Sequence, residues 1–192
     1  VAGAALGAAA ALVAWGRLRP DGLSIGAGLL LAGALSAVIA VVQVFLPEGA
    51  DGLVIARSGL AGRAVGNLRQ PNHLSTVLLW GLIWLVPLAQ RGGLPGWRWS
   101  AWAWQGLGAV MVLGVVLTAS RTGMVGIALL ALWGLLDRRL IRPVRWALGL
   151  SPLVYLVFFL LLALWAHQTQ HTFGGEARLA EADLSASRWG IW

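Results

Sequence analysis

The sequence predicts an all-α polytopic membrane protein, a bundle of about six membrane-crossing helices. Three observations carry this. Of the 192 residues, 59% are hydrophobic and 11% charged, with a mean hydropathy of +0.80, whereas a soluble domain needs far more polar surface. The apolar residues fall into six runs. The charges gather in the short loops between them.

The runs are 1–15, 23–46, 73–90, 102–119, 122–136 and 147–166. A hydrocarbon core of about 30 Å takes about 20 helical residues. The run 1–15 is short, as a truncated helix would be, and it lacks the basic flank of a signal peptide. The runs 23–46, 73–90 and 147–166 have spanning length or close to it. The runs 102–119 and 122–136 are short and could form one long stretch. Ser120-Arg121-Thr122-Gly123 between them argues instead for two helices that meet near an interface. Helical membrane sequence thus occupies 1–166, and 167–192 reads as a polar tail that ends partway into a new segment. The chain is expected to be part of a longer protein.

All 14 basic residues are Arg, and Cys is absent, which excludes disulfides, thiolate nucleophiles and a Lys Schiff base. The net charge of +7 resembles a nucleic-acid signal. In a chain this apolar it reads better as topology and contact with anionic lipid, so no nucleic-acid partner is expected. Eight Arg (17, 19, 91, 98, 138, 139, 142, 145) fall on one side of the alternating loops. Six (57, 63, 69, 121, 178, 188) fall on the other, together with five of the seven acidic residues. The Arg count places the first side in the cytoplasm. Of the 12 Trp, Trp97, Trp99, Trp102, Trp104, Trp146 and Trp165 lie at segment ends, as an aromatic belt does. Gly3 and Gly7 have the spacing of close helix packing.

Two motifs fall on the outer side. Arg121 stands between apolar stretches, where a permanent cation needs a partner or a polar cavity. Its planar fork of donors suits a phosphate, with Ser120, Thr122 and the free N–H groups of the next helix as further donors. The alternative is a tight turn whose Arg reaches lipid headgroups. Gln70-Pro71-Asn72-His73 opens a helix. Asn72 and Pro71 fit an N-cap and an entry turn, but a cap needs neither Gln70 nor His73. Both can contact a sugar or pyrophosphate, and His73 can also be a general base or a hydrogen-bonded structural residue. His167 and His171, four apart, could hold zinc on a helix, but no third ligand is evident and the segment reads better as an exit from lipid into water, so no metal site is expected. Arg188, in Ser187-Arg188-Trp189-Gly190-Ile191-Trp192, is either part of an interfacial amphipathic helix or a second Arg for the same phosphates.

Taken in order, the stretches 66–74, 117–123 and 187–192 resemble the O-antigen ligase superfamily, and Gln-Pro-Asn-His looks most like its bacterial protein O-oligosaccharyltransferase branch. The resemblance spans roughly 62–192. It implies a GT-C-like helical bundle in the bacterial inner membrane, with its active face in the periplasm. Residues 167–192 would begin a large periplasmic loop. It implies en bloc transfer of a glycan from an undecaprenyl-pyrophosphate donor to an acceptor hydroxyl, with no metal or other cofactor. The acceptor would be Ser or Thr of a periplasmic protein such as pilin, or else lipid A core or the growing glycan. Arg121 and Arg188 match the family's two arginines, which hold the pyrophosphate and stabilise the leaving group. Arg69, Gln70, Asn72, His73 and Ser120 are the expected substrate contacts. The family's general-base His lies further along the loop than residue 192, so the 192-residue piece alone is expected to be inactive. A transporter or flippase of lipid-linked glycan would also put Arg in a polar cavity. Ion coupling usually adds intramembrane acidic residues, and here all seven lie in loops or the tail.

Overall fold

The structure, a computed structural model, describes residues 23–94, 97–98 and 101–175. The run 1–15, the Gly3/Gly7 pair, Arg178 and Arg188 lie outside the described residues. The described chain is helical: α1 (Leu23–Phe45), α2 (Pro71–Gln90), α3 (Ala101–Thr118), α4 (Arg121–Leu136), α5 (Arg142–Gly149) and α6 (Ser151–Thr169). A single 3-10 turn, Pro47–Gly49, follows α1. A two-residue antiparallel ladder pairs β1 (Gly93–Leu94) with β2 (Trp97–Arg98) between α2 and α3.

Ile25–Phe45, Pro71–Gln90 and Ser151–Thr169 are long and apolar enough to cross a membrane, while α3 and α4 are apolar but shorter. The chain is therefore built as an all-α membrane protein. The break at 119–120 separates two helices, as the Ser-Arg-Thr-Gly stretch requires. The expected helix 147–166 is divided. Residues 147–149 complete the short amphipathic α5, and Pro152 in the first turn of α6 cannot continue a helix from upstream, because it lacks an N–H and crowds the preceding turn. At its other end α6 runs past 166 to Thr169, where Gln170 turns left-handed (φ 56) and its N–H caps Ala166 O.

Helix α2 is the axis of the bundle. It packs against α1, α3, α4 and the edge of α5. Over its spanning window 56% of residues are buried inside the protein, against 28% for α1 and 11% for α6. Leu153, Leu156, Leu160, Leu161 and Leu164 of α6 are more than half exposed, a surface that water disfavours and lipid tails do not. Leu74, Leu78, Met111, Val115, Leu117 and Ile127 form the sealed centre. Helices α1 and α2 touch through glycines: a Cβ on Gly33 would stand 3.2 Å from the Gly81 Cα, the close backbone approach that small residues allow in membranes.

The ends of α1, α3 and α6 and the starts of α2 and α4 share one end of the bundle. The 46–70 connection covers that end and is held by side chains. The Gln43 amide, buried in the last turn of α1, donates to Ala56 O (2.5 Å) and accepts from the backbone N–H groups of Val65 (3.0 Å) and Gly66 (2.8 Å). Asp51 Oδ1 accepts the N–H groups of Leu53, Val54 and Ile55 at 2.9–3.1 Å. These donors, Ile55 first, hold its carboxyl below the ordinary carboxylate value. Asn67 bridges Ala56 N and Val54 O. Ala64 N donates to Leu117 O (2.8 Å), and Gly174 N to Gly62 O (3.0 Å), which ties the connection to α3 and to the segment after α6.

Candidate functional site

The two motifs meet. Pro71 is the first helical residue of α2, and its fixed φ suits that position. The N-cap is Gln70, whose side chain makes no capping bond, so Asn72 does not have the capping role its type suggested. Asn72 Oδ1 instead accepts a 2.8 Å hydrogen bond from Ser120 Oγ, 48 residues away. Ser120 is the N-cap of α4, where its Oγ also accepts from Gly123 N (3.3 Å). Ser75 Oγ lies 3.2 Å from Ser120 Oγ and donates to the Asn72 carbonyl at 2.8 Å. Ser120 and Ser75 are buried, while Arg69, Gln70, Asn72, His73, Arg121 and Thr122 are exposed around them.

The starts of α2 and α4 are thus bolted side by side. Both are entered through a left-handed residue that is not glycine, Arg69 (φ 56) before Gln70 and Ala119 (φ 48) before Ser120. Such positions cost roughly 1–3 kcal/mol each and persist only where surrounding bonds enforce them. Ala119 is enforced from two sides. Its N–H bonds to Val116 O (2.9 Å), and its carbonyl accepts from the Arg63 guanidinium (3.2 Å), whose Nε also donates to Thr118 O (3.1 Å). A cation on the last carbonyls of α3 suits that helix's negative end.

The electrostatics of this end favour an anion. The first turns of α2 and α4 contain no acidic residue. Two helix N-termini, each carrying a partial positive charge, are joined by the exposed guanidinium of Arg121 at the first position of α4. Among the described residues no hydrogen bond or ion pair engages that guanidinium. Asn72 likewise keeps its amide Nδ2 free of protein partners among the described residues. From this end, α2 and α4 flank an apolar groove of about 600 Å³, headed by Thr76 and Thr122 and walled by Leu79, Trp80, Val125 and Leu129.

Of the expected site residues, Asn72 and Ser120 are in direct contact, and Arg69, Gln70, His73 and Arg121 flank that contact. Arg188 lies outside the described residues. His167 and His171 do not share a helix face: Gln170 ends α6 between them, and the His171 ring packs 5.2 Å from Trp165 instead. Among the described residues no group of three or more His, Cys, Asp or Glu gathers as a metal site would. Three participants were not singled out from the sequence. Ser75 is one turn after Asn72 on the same face. Gln43 is the polar residue in the last turn of an apolar helix. Arg63 was counted only as a loop charge.

A family described as protein glycosylation ligase matches residues 64–88, a short part of the chain that contains the 69–73 motif and most of α2. No curated protein and no solved structure matches the chain. The match points, at a coarse level, to a membrane enzyme of glycan transfer in protein glycosylation.

Proposed function

We propose that this chain belongs to an enzyme that transfers a glycan from a polyisoprenyl (undecaprenyl) pyrophosphate to a hydroxyl, with Ser or Thr of a periplasmic protein as acceptor. One observation carries the reading. The Asn72–Ser120 bond brings together two helix N-termini and Arg121, an arginine without a partner among the described residues, next to an apolar groove between α2 and α4. A lipid pyrophosphate has the matching two-part chemistry, an anionic head and a long apolar tail. The match to protein glycosylation ligases over 64–88 supports a glycan as the transferred group and a protein as the acceptor.

Within that reading the residues divide by role. Arg121 forks onto the pyrophosphate oxygens and stabilises the charge that grows on them as the bond to the sugar breaks. Arg188 is the expected second cation for the same group. Free N–H groups of the first turn of α4 and the Asn72 amide add neutral donors. Gln70 and His73 face the sugar or the pyrophosphate. Ser120 and Ser75 are positioning residues that fix Asn72 and the α4 terminus. The acceptor oxygen attacks the anomeric carbon, the pyrophosphate leaves with the bonding electrons, and the hydroxyl proton goes to a base further along the chain.

The test reconstitutes the full-length membrane protein with an undecaprenyl-pyrophosphate-linked glycan and a pilin-type acceptor. Wild type is expected to glycosylate the protein. Arg121→Ala should lose about 10²-fold or more, the usual effect of removing a transition-state charge partner, and Arg121→Lys should recover only part, because an ammonium cannot bind two oxygens as a fork. Transfer to lipid A core or to the growing glycan, and not to protein, would move the acceptor assignment. Donor translocation without any transfer would replace the transferase reading with a transporter.

A further inference from the structure

A second cavity lies at the opposite end of the bundle. It encloses about 360 Å³ between the end of α2 (Leu85, Ala89), the start of α3 (Trp104, Gly108), α5 (Val144, Leu148) and the start of α6. That volume is within the usual range of small-ligand sites, about 300–1,000 Å³. Its wall is apolar. Ser151, one of its few polar residues, spends its hydroxyl on Leu148 O at 2.7 Å. Apart from Gln105, exposed on α3, the lining offers ordered water few partners.

The mouth is basic. Helix α5 is amphipathic: Val144 and Leu148 are buried toward the cavity, and Arg142 is exposed. The four arginines of this segment are not equivalent. Arg145 Nε donates to Gly134 O (3.4 Å), and Arg139 and Arg145 both act on the Asp137 carboxylate, which backbone N–H donation from Arg139 and the Trp133 indole already hold below the ordinary carboxylate value. Arg138 and Arg142 are exposed, and among the described residues neither side chain has a partner. Beside them Trp146 is 67% exposed at the rim, the posture of an indole at a headgroup boundary.

We propose that this end of the bundle binds an anionic bilayer phospholipid, with one acyl chain in the cavity under α5 and the phosphate on Arg138 and Arg142. Basic pockets between membrane helices select anionic headgroups by charge. Here α5 supplies one wall of the apolar cavity and belongs to the same short segment as the two spare cations. The cavity and the Arg121 groove share only Leu130 of α4 among their lining residues, and occupancy of the cavity is tested independently of the transferase reading.

Native mass spectrometry of the full-length protein, delipidated in detergent and supplied with phosphatidylglycerol or phosphatidylcholine of identical chains, tests this. Wild type is expected to retain one phosphatidylglycerol in preference to phosphatidylcholine. Arg138→Gln/Arg142→Gln, which alters exposed side chains only, should erase most of that preference, at about fivefold per arginine. Gly108→Leu should abolish retention of either lipid, because a Cβ there meets only the end of Leu85, at 3.4 Å, and the rest of the side chain would fill the cavity. Equal retention of both lipids by wild type would overturn the headgroup assignment. Retention unaffected by Gly108→Leu would overturn the cavity assignment. Displacement of the bound lipid by a polyisoprenyl pyrophosphate would make this cavity part of the donor site and overturn the proposal as a whole.

Discussion

Ser120 serves three neighbours with one hydroxyl: it donates to Asn72 and accepts from the first turn of α4, and Ser75 stands against it. Removing it costs a helix cap, about 1 kcal/mol, and a partly buried inter-helix bond of similar worth, about 1 kcal/mol. Because Asn72 and Ser120 touch, their substitutions should not add. In a double-mutant cycle of Asn72→Ala and Ser120→Ala, read by unfolding in detergent, we expect a coupling of at least about 0.5 kcal/mol. Additive losses would mean that the bond does not join the two helices. Ala119 gives the opposite kind of prediction. Its left-handed backbone (φ 48) is one that glycine adopts without strain, so Ala119→Gly should stabilise the fold by up to about 1 kcal/mol. If the strain also holds Arg121 in its working position, the same variant will lose transfer activity while gaining stability. An Ala119→Gly protein less stable than wild type would show that the lost methyl of this buried residue outweighs the strain, and would overturn the prediction.

At the scale of helices, the bundle depends on how closely α1 and α2 approach. Gly33→Ala would press a methyl to 3.2 Å from both the Gly81 Cα and the Met111 methyl, and overpacking of this kind costs about 1–3 kcal/mol. Gly106, in α3, has nothing within 4 Å of a built Cβ. Gly106→Ala should therefore be neutral or slightly stabilising, and equal losses for the two variants in thermal unfolding would contradict the crossing. Helices were readable from the sequence wherever a long apolar run was bounded by breakers, which is why α1, α2, α3 and α4 fall close to where the apolar runs lie. Helix α5 was not readable as a separate element, because its apolar end, 147–149, runs on in composition into α6. Only the geometric effect of Pro152 parts them. The site was half readable. Arg121 and the 69–73 motif stand out because polar groups are expensive beside apolar runs. The Asn72–Ser120 pairing spans 48 positions and has no local signature, and Ser75 has the look of any small residue on a packed helix.

At the scale of the whole molecule, helix lengths govern where the two polar ends lie. The 20 residues of α2 give roughly 30 Å and the 16 of α4 roughly 24 Å at 1.5 Å per residue, against a hydrocarbon core of about 30 Å. Starting side by side, α2 can cross completely while α4 cannot, so α4 draws its two ends toward the headgroups. Arg121 is then at one membrane face and the basic α5 segment at the other. Which face is which is an expectation from the arginine count, eight against six, a bias that favours Arg121 outside. These 192 residues contain no Cys, so single thiols introduced here, in a protein with any other cysteine replaced by Ser, measure this directly. Leu53, 91% exposed in the connection that covers the Arg121 end, and Arg138, exposed beside α5, report the two faces. In spheroplasts treated with a membrane-impermeant maleimide, Leu53→Cys should label at once and Arg138→Cys only after permeabilisation. The reverse pattern would place Arg121 in the cytoplasm, where it could not meet an acceptor protein on the far side of the membrane. The periplasmic transferase reading would then fail even if Arg121 bound the lipid pyrophosphate.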